Sequence, residues 1–204
     1  MEKEFEEYKK NKEKLLKEKL ILTQKIQFFG ERYSNATLSK IELDSSSINR
    51  ILAWLKNPKN ILVVLGGVGI GKTELCAAMF DWVIQKTGIE FVRYWSERKL
   101  FETLRKDIAD GKGEYTENLR SKTDHYFVFL DDVGSTPPND WRTDVLFNFL
   151  DQRYETMLPT VITSNYTRKQ IYEIYGERFA SRLCAKENVI LELFDLPDLR
   201  QEGY

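Results

Sequence analysis

The chain has 204 residues, 42% of them hydrophobic and 13% aromatic, which suffices for one packed α/β domain with an appendage. Its 31 basic and 32 acidic residues leave a formal charge of −1, excluding a histone-like coat held on nucleic acid by bulk charge. Two cysteines, Cys76 and Cys184, and one histidine, His125, exclude a disulfide framework, a His-rich metal site and most Ser-His or Cys-His catalysis.

The first residues, Met-Glu-Lys-Glu-Phe-Glu-Glu, are charged and carry no apolar signal core. No apolar run approaches the roughly 20 residues that span a bilayer. A reduced, cytoplasmic protein without a membrane partner is therefore expected.

Residues 1–29 are rich in Lys and Glu and contain neither Pro nor Gly. Phe5, Tyr8, Leu15, Leu22, Ile26 and Phe29 recur at helical spacing, interrupted by Lys12 and Lys19. The pattern predicts an N-terminal helix with a thin apolar stripe, either folded back on the domain or docking a partner protein. Residues 30–47 read as a connector ending in Asp44-Ser45-Ser46-Ser47, and the core is expected over 48–204. A helix over about 47–56 precedes the turn Asn57-Pro58-Lys59-Asn60. Apolar runs then follow at Ile61–Leu65, Phe91–Trp95, Tyr126–Leu130, Thr160–Thr163 and Val189–Phe194. Helical patterns separate them at about 72–86, 97–109, 141–156 and 168–184. Apolar strands flanked by helices predict a mostly parallel sheet buried on both faces, hence a three-layer α/β fold.

Gly66, Gly67, Val68, Gly69, Ile70, Gly71, Lys72, Thr73 and Glu74 carry G-x-x-x-x-G-K-T between a strand and a helix. That context predicts a nucleotide phosphate loop, with backbone N–H groups and the helix N-terminus turned to the phosphates. Lys72 would meet the β- and γ-phosphates, and the Thr73 hydroxyl would ligate Mg²⁺. Tyr126–Leu130 runs into Asp131 and Asp132. Asp131 is expected to hold Mg²⁺, and Asp132 to polarise the attacking water although it is one methylene shorter than Glu. Thr160–Thr163 ends in Ser164-Asn165, placing Asn165 at the carboxyl edge of the sheet near the γ-phosphate, or else simply capping the next helix. Arg178 and Arg182 share a helix face, as a salt-bridged pair or as arginine-finger candidates. Tyr166, Arg168 and Lys169 combine a stacking ring with two cations and form a candidate single-stranded DNA patch; an ordinary helix start capped by Thr167 is the plainer reading. Trp141 and Arg142 offer an alternative surface.

Together these residues resemble the AAA+ ATPases of the DnaC/DnaI helicase-loader group, close to IstB-type transposition ATPases. The resemblance rests on Gly66–Thr73, on Phe-Leu-Asp-Asp-Val-Gly at 129–134 and on Leu-Pro-Thr-Val-Ile-Thr-Ser-Asn at 158–165. It extends to Glu-Arg-Phe-Ala-Ser-Arg-Leu at 177–183, Arg32–Leu38 and the closing Asp198-Leu199-Arg200, covering about residues 30–204. It implies a P-loop AAA+ core of five parallel strands without a C-terminal helical lid. It also implies the Walker and sensor roles for Lys72, Thr73, Asp131, Asp132 and Asn165. The implied activity is loading of a hexameric replicative helicase onto single-stranded DNA. ATP would be bound and hydrolysed between self-associated protomers as a conformational switch, with residues 1–29 docking the helicase. A transposition ATPase assembling on duplex DNA shares every core residue. A small-molecule kinase and an ATP-holding scaffold that does not turn ATP over are the remaining alternatives.

Overall fold

Five parallel strands form one sheet in the order β2-β3-β4-β1-β5: β1 (Ile61–Gly66), β2 (Val92–Ser96), β3 (Phe127–Val133), β4 (Thr160–Ser164) and β5 (Val189–Leu193). The computed structural model describes residues 2–112 and 115–199. Every residue of β1 and β4 is buried, as expected of central strands covered on both faces.

Among the described residues seven α-helices surround the sheet: α1 (Glu2–Phe29), α2 (Ser45–Lys56), α3 (Lys72–Thr87), α4 (Glu97–Ala109), α5 (Tyr115–Thr123), α6 (Asp140–Glu155) and α7 (Arg168–Leu183). One core layer joins Ile51 and Leu55 of α2 and Leu75, Met79 and Phe80 of α3 to Phe127 and Phe129 of the sheet. The opposite layer packs Leu100 and Leu104 of α4, Phe149 of α6 and Ile171 and Phe179 of α7 on Val128, Leu130 and Ile162. Alternate residues of one strand thus feed opposite layers. Among the described residues no helix follows β5, and no helix is long and apolar enough to cross a membrane. Arg200, part of the closing motif, lies outside the described residues.

Four local details differ from the sequence reading. The compositional break at residue 29 is not a packing boundary: Phe29 is 7% exposed and joins the core, and Lys25 is buried. Lys25 Nζ bonds Asp81 of α3 at 2.8 Å and the Ala36 carbonyl at 2.6 Å, which fastens the end of α1 to the domain. By contrast, residues 5–20 are exposed, among them Leu15, Leu16 and Leu20. Second, the connector is shorter than 30–47, because α2 starts at Ser45 where the Asp44 side chain accepts the Ser47 N–H. Third, α5 was not anticipated; its sequence, YTENLRSKT, has little apolar periodicity. Fourth, the helix over 168–184 is broken at Gly176, whose φ of 82° and ψ of 171° only glycine adopts cheaply.

Candidate nucleotide site

The ends of β1, β3 and β4 converge because neighbouring parallel strands point their carboxyl ends the same way. The loop after β1 curls through Gly71, which takes a left-handed φ of 91° as it caps α3 and would strain any residue with a Cβ. Lys72 then opens the helix and bends back over the loop. Its Nζ donates to the Gly66 carbonyl at 3.0 Å, the Gly67 carbonyl at 2.6 Å and Asn165 Oδ1 at 2.6 Å. An ammonium bonded to these loop carbonyls and to Asn165, at the N-terminus of a 16-residue helix, lies where a polyphosphate would meet it.

Asp131 and Asp132 sit at a register shift between β3 and β4. Asp132 takes a left-handed φ of 62°, so the consecutive carboxylates do not alternate faces as in a regular strand. Its N–H donates to Thr163 Oγ1 at 2.8 Å, and its Oδ1 accepts Asn165 Nδ2 at 3.0 Å. Burial, and the negative charge of Asp131 beside it, raise the Asp132 pKa above its ordinary value. Asp131, 3% exposed, accepts Thr73 Oγ1 at 2.8 Å, Tyr94 Oη at 3.0 Å and Thr163 Oγ1 at 2.5 Å. Thr73 and Asp131 present adjacent hard oxygens, the donor set Mg²⁺ takes when phosphate and water complete its shell.

Val68, Gly69, Gly71, Lys72, Thr73, Glu74, Asp131, Asp132 and Asn165 line one cavity. Ile70 instead faces a contiguous cavity with Ile41, Leu43, Leu75 and Leu193. The two share Gly71, Lys72, Glu74 and Leu199, so the charged cavity at the loop adjoins one lined by aliphatic side chains together with the charged Lys40 and Glu42. Gly67 borders the loop through its carbonyl, and Gly66 ends β1.

Arg32, Tyr33 and Leu199 also line the charged cavity, and the sequence reading assigned them no role in the site. Arg32 and Tyr33 had a signal, since they belong to the segment that resembles the approach to the core. Leu199 likewise belongs to the closing motif of that resemblance, whereas nothing local marks Ile41 or Leu43, which chain folding alone brings to the mouth.

The remaining expected residues lie elsewhere. Arg178 and Arg182 stack over Phe147 of α6, at 4.7 and 5.0 Å from its ring centre, and line neither cavity. Arg182 is committed to an ion pair with Asp151, whereas Arg178 is exposed. Tyr166, Arg168 and Lys169 do not form one patch. The Tyr166 ring lies half-buried over Gly134, Arg168 pairs with Glu192 of β5 at 2.5 Å, and Lys169 lies 3.8 Å from Glu173. Thr167 caps α7 in a capping box with Gln170. Trp141 and Arg142 do share a surface, beside Phe101 and under Arg105.

The profile of the family described as IstB-like ATP binding protein matches residues 7–183. The chromosomal replication initiator protein DnaA of Thermoanaerobacter sp. (strain X514) is 26% identical over 180 residues, 87% of this chain and 40% of that protein. DnaA of Thermotoga maritima is 28% identical over 124 residues, and the match spans 60% of this chain but only 28% of that protein. Among solved structures, the DnaC helicase loader superposes with a TM-score of 0.67 at 25% identity, covering 79% of this chain and 98% of that one.

Proposed function

The chain belongs to the family of IstB-like ATP binding proteins, an AAA+ ATPase group, and on that premise we propose that it loads a replicative helicase onto single-stranded DNA. The observation that carries this reading is the likeness to the DnaC helicase loader over nearly the whole of that chain. The exposed apolar residues Leu15, Leu16 and Leu20 on a helix fastened to the ATPase core support it, as they suit docking on a partner helicase.

In this reading Lys72 and the loop from Gly66 to Thr73 hold the ATP phosphates, while Thr73 and Asp131 hold Mg²⁺. Asp132 draws a proton from the attacking water, and Asn165 orients Asp132 and the γ-phosphate through its amide. Arg178 completes a neighbouring protomer's site, because Arg182 is spent on Asp151 whereas Arg178 lies exposed at the same face. DNA is gripped by Trp141, Arg142 and Arg105 rather than by Tyr166, Arg168 and Lys169, since only the former set presents a ring and cations on one surface. ATP turnover then changes the affinity of the assembly for helicase and DNA.

The experiment is deposition of the replicative helicase from the source cell onto single-stranded DNA circles. ATP-dependent stimulation of deposition, abolished by Lys72→Ala, is expected. Absence of stimulation together with ATP-dependent assembly on duplex DNA would favour the second reading, a transposition ATPase, which the family match supports.

A further inference from the structure

Tyr94 belongs to none of the nucleotide motifs, yet its hydroxyl donates to Asp131 Oδ2 at 3.0 Å. That oxygen also accepts Thr73 Oγ1, and the other accepts Thr163 Oγ1. With Asp131 only 3% exposed, these hydroxyls rather than water set the direction of its carboxylate. Sheet register explains why a tyrosine is needed. Ser96 of β2 lies opposite Asp131 and Tyr94 opposite Phe129, so Tyr94 lies two residues short of the acid on the same face. The length of a phenol spans that offset.

The ring is held from the other side by α1. Its centre lies 4.3 Å from that of Phe29 and 6.1 Å from that of Phe28, the last two residues of the helix. Lys25, one turn earlier, fixes this end through Asp81 and the Ala36 carbonyl. The exposed portion of α1 therefore continues into a turn that touches the ring bonded to Asp131.

We propose that Tyr94 is a positioning residue for Mg²⁺–nucleotide binding, turning the Asp131 carboxylate toward Thr73 and placing the end of α1 in contact with that hold. The inference rests on the ATP site assigned above. It also gives a partner seated on α1 a physical route to the nucleotide, through Phe29 and Tyr94.

The test is titration of a fluorescent ATP analogue into the full chain, with EDTA and across a Mg²⁺ series, for Tyr94→Phe, Phe29→Leu and Phe149→Leu. Phe149 lies in the opposite core layer and serves as a control for general loss of packing. Tyr94→Phe is expected to keep its affinity in EDTA within about twofold while its Mg²⁺ midpoint rises roughly tenfold, as losing the support of a metal ligand typically does. Phe29→Leu should move the midpoint the same way by less, and Phe149→Leu should lower the melting temperature without moving it. An unchanged midpoint in Tyr94→Phe, or an equal shift in Phe149→Leu, overturns the positioning role. An unchanged midpoint in Phe29→Leu alone removes α1 from it. Failure of the unmodified chain to bind the analogue overturns the ATP site itself, a different result from any of these.

Discussion

Asn165 donates its amide Nδ2 to Asp132 Oδ1 at 3.0 Å, across the ends of two neighbouring strands. Its other amide atom, Oδ1, accepts the Lys72 ammonium at 2.6 Å. One side chain thus links the ammonium proposed to meet the phosphates to the acid proposed to activate water. A γ-phosphate drawing Lys72 toward itself would release Oδ1 and leave Asn165 free to turn with Asp132. Asp132 is shorter than Glu, and its left-handed backbone and this amide bond together aim it.

Replacing Asp132 with Asn should lower ATP hydrolysis by 10²–10⁴-fold, the usual worth of a positioned general base, while leaving ATP affinity nearly intact. Steady-state phosphate release and analogue binding separate the two effects. In the proposed role of general base, Asp132 must be ionised. Because burial and Asp131 raise its pKa above 3.8, activity should fall on the acid side at a higher pH than a free aspartate would dictate. A pH profile of turnover at saturating ATP measures that limb.

Lys72→Ala should weaken ATP binding roughly 10–100-fold, the loss of about 1.5–3 kcal/mol of charge-assisted hydrogen bonding. Thermal stability should fall as well, because Lys72 is the donor to the buried Gly66 carbonyl and the half-buried Gly67 carbonyl, which the change leaves without that partner. Calorimetric titration with ATP checks the first expectation and a melting curve the second.

Arg178→Ala and Arg182→Ala should part company. The former is expected to cut hydrolysis about 10³-fold in the assembled protein without weakening ATP binding, as removal of an arginine finger does. The latter should act mainly on stability, through the lost ion pair with Asp151. Mixing Arg178→Ala with Lys72→Ala protomers should restore part of the activity, since one supplies an intact nucleotide site and the other an intact finger.

Arg153 is a stability residue. It is fully buried and donates to Thr160 Oγ1 at 2.7 Å and to the carbonyls of His125, Tyr126 and Pro159. Arg153→Leu should cost about 3 kcal/mol or more, because buried carbonyls at the starts of β3 and β4 lose their donor. Urea denaturation followed by circular dichroism reads the loss.

The strands and the phosphate loop were legible because their information is local. Ile61–Gly66 is a continuous apolar run, and Gly66 to Thr73 carries its glycines, Lys and Thr within eight residues. Asn165 could be placed as well, since a polar pair closing a buried parallel strand falls at the ligand edge. Tyr94 could not: its partner Asp131 is 37 positions away, and only strand register brings them together. The spread of Tyr166, Arg168 and Lys169 was not legible for a related reason. Adjacency along the chain says nothing of direction, and Tyr166 lies over Gly134 while Arg168 turns to Glu192. The N-terminal helix was half legible. Its composition marked residues 1–29 as distinct, but the ion pair of Lys25 with Asp81 and the packing of Phe29 join its last turns to the core.

The most direct test of the loader account is light scattering on this protein mixed with the replicative helicase, with ATP–Mg²⁺, without nucleotide, and with Leu15, Leu16 and Leu20 changed together to Ser. These side chains are exposed, so the substitutions leave the core intact. The account predicts a complex of defined mass with ATP–Mg²⁺ that the triple change abolishes while ATP binding persists. No complex under any condition would contradict it.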